Sequence, residues 1–289
     1  MNQSKTGTTT KSIKSNKRKF AGRISGCVVL LYVGVLGILM FLERYLVFPA
    51  PPMSYGNWNA ASFGAKEHFN EGKDKTRIHV WTFEKPDAKT TLIFSHGNGE
   101  SLGMLGDELM AIRDQWNVNV VAFDYRGYGK TGGIPNERDI LSDAVSVGKW
   151  VQESDAFRGQ KIIAMGRSLG GALAVEIATE FHADGLILDR TFSSIVDVAA
   201  SRYFFLPVRW VMQTQFKSID KIPAYHGELL QMHGDVDEVV SYRFGKKLFD
   251  ACPTQTKKLL TVKGLYHNSP WPTEFWDAGK KFIKAIEDK

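Results

Sequence analysis

The pattern of hydrophobic and polar residues divides the chain into two parts. Residues 24–42 read ISGCVVLLYVGVLGILMFL and contain no charged side chain. A helix of this length, at a rise of about 1.5 Å per residue, is just long enough to cross a hydrocarbon core of about 30 Å. We therefore predict a transmembrane helix over residues 24–42, a linker over 43–60 and one globular domain over 61–289.

Beyond residue 60, short apolar runs alternate with longer amphipathic stretches, which predicts strands that alternate with helices. The predicted strands lie at residues 77–83, 92–94, 119–123, 161–165, 185–188 and 229–232. The predicted helices lie at residues 102–116, 137–151, 171–178 and 273–286. This alternation is typical of an α/β domain whose mostly parallel, doubly wound sheet carries helices on both faces. The first strand, 77–83, is expected at an edge of the sheet.

Gly166-Arg167-Ser168-Leu169-Gly170 fits the pattern G-x-S-x-G and lies between a predicted strand and a predicted helix. A serine at the tip of a tight strand-to-helix turn is typical of a nucleophile elbow. The flanking glycines prevent collisions between this strained turn and the neighbouring strand or helix. We therefore predict Ser168 as the nucleophile. Arg167 beside it would either favour anionic substrates or point to solvent, and the second is expected.

A serine hydroxyl needs a base to take its proton, and the base needs an acid that holds its tautomer. In domains with such an elbow, the order along the chain is serine, acid, histidine. His267 follows a predicted strand that begins at Lys258 and precedes the last predicted helix, so it is predicted as the base. It is preferred to His226 and His233, which also follow the serine. The competing interpretation is a loop histidine that only hydrogen-bonds locally.

The acid is expected in the turn after the strand 229–232, where Asp235, Asp237 and Glu238 come close together. The pattern alone leaves the choice open. Asp237 is preferred and Asp235 is the alternative, although Asp235 also suits a turn-stabilising role. His233 is expected to be structural.

An oxyanion hole needs two backbone N–H groups that point at the developing negative charge, each worth roughly 3 kcal/mol. The first is predicted from Leu169, the residue after the nucleophile. The second is predicted from Asn98, in the glycine-rich loop that follows the apolar strand at 92–94. His96 in the same loop precedes the serine, and it is expected to support the loop rather than act as a base.

Together these segments resemble the α/β-hydrolase superfamily from about residue 60 to the C-terminus. The segments that carry the resemblance are Ser95-His96-Gly97-Asn98-Gly99, Phe123–Thr131 (FDYRGYGKT), Gly166–Gly171 (GRSLGG), His233–Asp237 (HGDVD) and Tyr266-His267-Asn268. More narrowly, the chain resembles membrane-anchored serine hydrolases related to prolyl oligopeptidase-type peptidases, which carry one N-terminal transmembrane helix. The resemblance implies an α/β-hydrolase fold. It also implies Asp237 as the acid, because the family's aspartate is the third residue after the glycine of the His-Gly pair.

Residues 192–225 interrupt the alternation with a cluster of apolar residues. The cluster includes Tyr203, Phe204, Phe205, Leu206 and Trp210. In the architecture that the resemblance implies, an insertion at this place lies over the active site. We predict a short lid whose aromatic residues line an acyl or other apolar pocket. The alternatives are a packed helical connection with its aromatic residues in the core, and a surface that touches the bilayer.

The positive charge of the chain is concentrated at its start. Residues 1–23 contain seven Lys and Arg residues and no acidic residue; once these are removed from 37, 30 basic residues remain against 31 acidic ones. The excess charge is therefore a topology signal and does not indicate nucleic-acid binding. The positive-inside rule predicts a basic cytoplasmic tail over 1–23 and a catalytic domain on the extracytoplasmic side. A cleaved signal peptide is the alternative, but the apolar run is long and no A-x-A-like site follows it.

These features predict a membrane-anchored serine hydrolase that cleaves carboxylic ester or thioester bonds of a small-molecule or lipid acyl substrate. The alternatives are a serine peptidase or amidase on the same three residues, and a catalytically silent binding or scaffold protein. Serine at the elbow argues against dehalogenases and epoxide hydrolases, which carry aspartate there. No metal or dinucleotide motif is recognisable, so no cofactor is expected. The cysteines, Cys27 and Cys252, do not suggest a disulfide framework.

Overall fold

A computed structural model of the chain describes the backbone of residues 7–289 and the side chains of residues 25–289. The predicted cytoplasmic tail, residues 1–23, therefore lies outside the described side chains. The chain divides into two compact units, with the boundary between Glu43 and Arg44.

Helix α1 spans Gly7–Val47. Within it, the most apolar window of the segment Ser25–Val47 has a mean hydropathy of 2.5, and none of that window is buried. Among the described residues, this is the one helical segment long and apolar enough to cross a membrane. It contains nearly all of the predicted transmembrane helix 24–42 and extends further toward the C-terminus. Its length and composition fit a membrane anchor and an N-terminal signal sequence alike.

The second unit contains a single eight-stranded sheet. Its strands are β1 (Lys66–Glu71), β2 (Arg77–Phe83), β3 (Thr90–Ser95), β4 (Asn119–Phe123), β5 (Lys161–Arg167), β6 (Gly185–Asp189), β7 (Glu228–Gly234) and β8 (Lys257–Val262). Their spatial order is β1-β2-β4-β3-β5-β6-β7-β8. The pairs β1–β2 and β2–β4 are antiparallel, and the pairs from β4 onward to β8 are parallel. The mostly parallel sheet that the alternation predicted is confirmed.

The expectation that residues 77–83 form an edge strand is wrong, because β1 pairs with the outer side of β2. The pairing runs from Lys66 opposite Thr82 to Glu71 opposite Arg77. The sequence of β1, KEHFNE, is polar, and exposed and half-buried residues alternate along most of it. It therefore lacks the apolar run that marks the other strands. β2 is buried at every residue except Arg77, as a strand with a neighbour on each side should be.

Helices cover both faces of the sheet. They are α2 (Leu102–Trp116), α3 (Glu137–Glu153), α4 (Gly170–Glu180), α5 (Ile195–Arg202), α6 (Val208–Val211), α7 (Ser218–Lys221), α8 (Tyr242–Ala251) and α9 (Thr273–Glu287). One hydrophobic core contains Ile140 of α3, Leu173 of α4 and Leu248 of α8. The other contains Leu109 of α2 and Phe275 of α9. Because both faces are covered, β3, β4 and β6 are buried at every residue, which explains their continuous apolar runs.

The predicted lid, residues 192–225, contains the short helices α5, α6 and α7. Phe216 and Tyr225 of this insertion are buried in the first core. Phe204 and Trp210, by contrast, are 84% and 90% exposed. These two side chains therefore lie outside the core, contrary to the alternative of a packed helical connection. The lid over an apolar pocket stays a prediction.

A buried ion pair joins the loop after β4 to helix α3. Arg126 donates from Nε to Asp143 Oδ2 at 2.7 Å and from Nη2 to Asp143 Oδ1 at 2.6 Å. Both side chains are almost fully buried. Two parallel bonds of this kind fix orientation as well as distance. The pair thereby holds the loop that also carries Tyr128, whose hydroxyl reaches the candidate active site.

We expect Arg126→Ala to lower the free energy of unfolding by about 3 kcal/mol, because it leaves the carboxyl group of Asp143 buried without its cation. Denaturant unfolding of the full chain in detergent measures this loss. Arg158→Ala is the matched control, since Arg158 pairs with Asp155 at 2.6 Å while both side chains are exposed. Exposed pairs contribute about 0–1 kcal/mol. Equal losses in the two variants would contradict the role given to the buried pair.

Candidate active site

Ser168 lies in the tight turn between β5, which ends at Arg167, and α4, which begins at Gly170. Its φ of 52° is in the left-handed region that serine rarely adopts. Two hydrogen bonds hold this turn. The N–H of Ser168 donates to the carbonyl of Asp189 at 2.9 Å, and Thr191 Oγ1 donates to the carbonyl of Ser168 at 2.7 Å. The strained backbone is thus maintained by the end of the neighbouring strand, β6.

The glycines on either side of Ser168 allow the elbow to pack closely against its surroundings. A Cβ atom added to Gly166 would overlap the carbonyl oxygen of Gly170. One added to Gly170 would overlap the carbonyl oxygen of Ser95, at the end of β3. Any side chain at these positions would force the backbone apart. The second contact also shows that the loop after β3 begins directly against the elbow.

His267 lies in the loop between β8 and α9, between Ser168 and Asp237. Its Nε2 is 3.0 Å from Ser168 Oγ, and its Nδ1 is 2.8 Å from Asp237 Oδ2. The three side chains follow the carboxyl ends of β5, β7 and β8, which the parallel register places at one edge of the sheet. The structure therefore brings together the three residues predicted from the sequence. His226 precedes β7 and belongs to the opposite edge.

The carboxyl group of Asp237 is buried and accepts several hydrogen bonds. Its Oδ1 accepts the N–H groups of Val239 at 3.0 Å and Val240 at 2.7 Å. His233 Nε2 lies 3.4 Å from its Oδ2, beside the bond from His267. Burial raises the pKa of this carboxyl group, but the hydrogen bonds from His233 and His267 outweigh burial and hold the pKa well below its usual value. His233, expected to be structural, therefore also contacts the candidate acid.

Asp235, the alternative acid, is exposed and has another role in the structure. Its Oδ1 accepts the N–H of Gly264 at 2.7 Å. This bond connects the turn after β7 to the turn after β8. Asp235 thus stabilises the turns that carry the candidate acid and base.

The loop that carries His267 is held by Arg190, which the sequence did not single out, and by Glu238. Arg190, just after β6, donates from Nη1 to the carbonyl of Ser269 at 2.6 Å and to that of Tyr266 at 3.3 Å. The N–H of His267 itself donates to Glu238 Oε2 at 3.1 Å. These bonds fix the backbone on both sides of the imidazole.

Asn98, a predicted oxyanion residue, lies in the loop between β3 and α2, and its side chain is bonded at both ends. Tyr128 donates its hydroxyl hydrogen to Asn98 Oδ1 at 2.6 Å, and Asn98 Nδ2 donates to the carbonyl of Val47 at 2.6 Å. Leu169, the other predicted donor, precedes α4 with a helical φ of −54°. N–H groups in the first turn of a helix have no acceptor within the helix. Leu169 is the neighbour of Ser168 in sequence, and Asn98 belongs to the loop that begins against the elbow.

His96 is buried beneath this loop, as expected from its position in the sequence. Its ring stacks on Tyr125 with centroids 4.0 Å apart, and its Nδ1 donates to the carbonyl of Gly97 at 2.8 Å. Burial lowers the pKa of His96, so the ring is neutral at neutral pH. A neutral ring bonded to its own loop supports that loop and does not take part in proton transfer.

Arg167 does not point to solvent, contrary to expectation. Its guanidinium lies 2.8 Å from Glu100 and 2.9 Å from Glu108, and it also lies over the ring of Trp271 at 5.7 Å. Burial lowers the pKa of Arg167, but the nearby carboxylates of Glu100 and Glu108 outweigh burial and raise it above its usual value. Its charge is therefore compensated inside the protein, beneath the elbow, and does not favour anionic substrates.

Comparison with known proteins gives the following relatives. The family model Hydrolase_4, described as serine aminopeptidase S33, matches residues 86–223. An uncharacterised protein of Mycobacterium tuberculosis is 27% identical over 274 residues, which cover 94% of this chain and 95% of that protein. The human α/β hydrolase domain-containing protein 17B is 30% identical over 187 residues, which cover 63% of this chain and 62% of that protein.

Solved structures of similar fold include two esterases. The Pyrococcus furiosus esterase Pf2001 has a TM-score of 0.66 and 20% identity, and the match covers 82% of this chain and 98% of the esterase. Est1E of Butyrivibrio proteoclasticus, solved with ferulic acid, has a TM-score of 0.64 and 19% identity, with coverage of 77% and 100%. These similarities confirm the predicted fold. The fold, the family model and the relatives together support a hydrolase of the α/β-hydrolase superfamily.

Proposed function

We propose that the protein is a membrane-anchored serine hydrolase that cleaves carboxylic ester or thioester bonds through Ser168, His267 and Asp237. The observation that carries this proposal is the hydrogen-bonded series from Ser168 Oγ through the imidazole to Asp237, at 3.0 and 2.8 Å. In this series the hydroxyl has a base and the base has an acid, which is what nucleophilic catalysis by serine requires.

In the first half-reaction, Ser168 Oγ attacks the carbonyl carbon of the substrate while His267 Nε2 takes its proton. Asp237 is ionised, holds the proton on His267 Nδ1 and stabilises the imidazolium. When the tetrahedral intermediate collapses, the C–O or C–S bond breaks. The alcohol or thiol leaves with the proton from His267, and the acyl group stays on Ser168.

In the second half-reaction, water gives a proton to His267 and its oxygen attacks the acyl carbonyl carbon. Collapse of this intermediate breaks the bond to Ser168, returns the proton to its Oγ and releases the carboxylic acid. In both halves negative charge develops on the carbonyl oxygen. We assign the backbone N–H groups of Leu169 and Asn98 as its donors, each worth roughly 3 kcal/mol. Their positions beside the elbow support this assignment.

Two other functions compete with this one. A serine peptidase or amidase on the same residues is the second candidate, because the matching family model is described as a serine aminopeptidase. Esters and thioesters are favoured because their leaving groups need less help from an acid than an amine does, and because the similar solved structures include esterases. A catalytically silent scaffold is disfavoured by the hydrogen-bonded series at the elbow.

We assign the segment Ser25–Val47 as a retained anchor rather than a cleaved signal sequence. Seven basic residues precede it within residues 1–23. The positive-inside rule then places the N-terminus in the cytoplasm and the catalytic domain on the extracytoplasmic side.

Ser168→Ala is expected to abolish labelling by a fluorophosphonate probe, because the probe reacts with an activated serine hydroxyl. The measurement is gel fluorescence of the full chain in isolated membranes. Ser62→Ala, at an exposed serine in the turn before β1, is the matched control and is expected to retain labelling. Equal labelling of wild type and Ser168→Ala would show that another residue is the nucleophile. Folded wild-type protein that is not labelled would contradict the proposed function as a whole.

Asp237→Asn is expected to lower kcat for ester hydrolysis by about 10³–10⁴-fold, because the amide no longer holds the productive tautomer of His267. The lowered pKa keeps Asp237 ionised above about pH 4, so this loss extends over the whole neutral range. Because folding lowers the pKa of Asp237, this carboxyl group adds to the free energy of unfolding at pH values above its ordinary pKa. This contribution is lost as the pH falls through the pKa of Asp237 in the folded state. Asp235→Asn, in the same turn, is the control. A similar loss of kcat in this variant would contradict the assignment of Asp237 as the acid.

A pair of substrates that share one acyl group, one an ester and the other an amide, separates the two leading candidates. We expect a higher kcat/KM for the ester, since His267 must fully protonate an amine before it leaves. The measurement is steady-state hydrolysis by the full chain, with Ser168→Ala as the blank. A higher kcat/KM for the amide would favour the peptidase.

A further inference from the structure

Large apolar side chains are exposed around the candidate active site. We call this set the apolar collar; it consists of Phe204, Trp210, Val236, Val239 and Tyr266, which are 84%, 90%, 43%, 45% and 58% exposed. Two of them flank the candidate acid, Asp237, and one immediately precedes the candidate base, His267. The other two belong to the insertion 192–225. Clustered exposed apolar groups of this kind indicate a binding surface.

Two contacts join the insertion 192–225 to its neighbours at the carboxyl edge of the sheet. Arg202, next to the exposed aromatic residues, donates to the carbonyl of Glu238 at 3.4 Å. Arg243 of α8 donates to the hydroxyl of Ser201 at the end of α5. The insertion therefore lies beside the loop of the candidate acid, at the carboxyl edge of the sheet where Ser168 lies.

We propose that the apolar collar lies on the surface of a lipid bilayer and that the substrate reaches Ser168 from that bilayer. The substrate class that follows is an ester or thioester whose acyl chain is embedded in the membrane. The assignment of this substrate class rests on the proposed function, whereas the proposed contact between collar and lipid is independent of it.

The course of the chain favours a bilayer over a protein partner. The candidate membrane span ends at Val47, and Val47 and Phe48 are both buried within the catalytic domain. The carbonyl of Val47 accepts the bond from Asn98 at 2.6 Å. The ring of Phe48 packs edge-on against Phe216 of the insertion, with centroids 6.1 Å apart. The apolar segment thus ends against the two elements that border the site, the loop after β3 and the insertion that carries much of the collar.

Cationic side chains lie next to the aromatic residues of the collar. They are Arg202, Arg209, Arg243 and Lys247, and all are exposed. Asp197 pairs with two of them, which leaves an excess of positive charge. Exposed aromatic rings flanked by arginine and lysine are typical of surfaces that lie in a lipid interface, where the cations meet anionic headgroups.

Contact between the apolar collar and the bilayer would let an acyl chain pass from the lipid to Ser168 without entering water. Each methylene group that moves from lipid into water costs free energy. An acyl chain that passes directly from the bilayer to the site avoids most of this cost. The carbonyl of such a substrate lies at headgroup level, near the edge of the sheet that carries Ser168.

Tryptophan fluorescence tests the contact between collar and lipid. The chain has seven tryptophans and none between residues 25 and 47, so any quenching by lipid comes from the catalytic domain. The full chain is reconstituted into vesicles of phosphatidylcholine with brominated acyl chains and, for reference, with ordinary chains. We expect brominated lipid to quench wild type, Trp210→Phe to lose this quenching, and Trp150→Phe to retain it. Trp150 is the control because it is half-buried on α3 against Phe157.

Equal quenching of wild type and Trp210→Phe overturns the proposal. Protection of Trp210 from both brominated lipid and soluble acrylamide overturns it as well, because protein, such as a second copy of the chain, then covers the collar. Neither readout requires catalysis. Failure of this proposal is therefore distinguishable from failure of fluorophosphonate labelling at Ser168.

A second measurement connects the collar with the substrate. The double variant Phe204→Glu/Trp210→Glu places two carboxylates in the lipid interface. We expect it to lower hydrolysis of a vesicle-embedded long-chain ester, relative to a short water-soluble ester, by about tenfold. Phe69→Glu is the matched control, since Phe69 is 41% exposed on the edge strand β1, at the other end of the sheet from β8. An unchanged ratio in the double variant overturns delivery of the substrate from the bilayer.

Discussion

The left-handed backbone at Ser168 is the constraint on which the site depends. A φ of 52° is costly for serine and persists only where the surroundings over-determine it. Gly166 and Gly170 allow neighbouring backbone to approach without side chains, and the carbonyl of Asp189 binds the N–H of Ser168. The turn directs the hydroxyl away from the sheet and toward His267. The reactivity proposed for Ser168 is therefore a property of several strand ends and not of the serine alone.

Strand β6 contributes no residue to the hydrogen-bonded series. Residues at its carboxyl end nevertheless bind both the elbow that carries Ser168 and the loop that carries His267. The carbonyl of Asp189 binds the elbow, and its carboxylate pairs with Arg190 at 2.7 and 2.9 Å. Arg190 in turn binds two carbonyl groups in the loop of His267. Trp271 Nε1 donates to the same carboxylate at 2.7 Å. One buried ion pair thus relates the position of Ser168 to that of His267, and it persists because each charge is neutralised by the other.

Much of the fold and the site could be predicted from the sequence, for identifiable reasons. β2, β4 and α2 begin and end at the predicted residues, because their burial produces unbroken periodicity. β1 was missed because an edge strand needs no apolar run. Ser168 and His267 are marked by a local pattern and by their order along the chain, whereas the pattern left Asp235 open beside Asp237 and the family resemblance supported Asp237. Arg167 and Arg190 could not be assigned, since their roles depend on partners distant in sequence, such as Glu108 and Ser269.

The burial of Val47 and Phe48 gives the end of the apolar segment a structural role in the globular unit. A tether that only restricts diffusion needs no contact with the catalytic loops. Here the side chain of Asn98 is held between the hydroxyl of Tyr128 and the backbone carbonyl of Val47. A carbonyl acceptor is supplied by any residue type, so no sequence pattern marks this contact. The loop to which we assign oxyanion stabilisation is therefore bonded to the residue at which the apolar segment ends. An embedded acyl chain is the substrate that we propose for such a site.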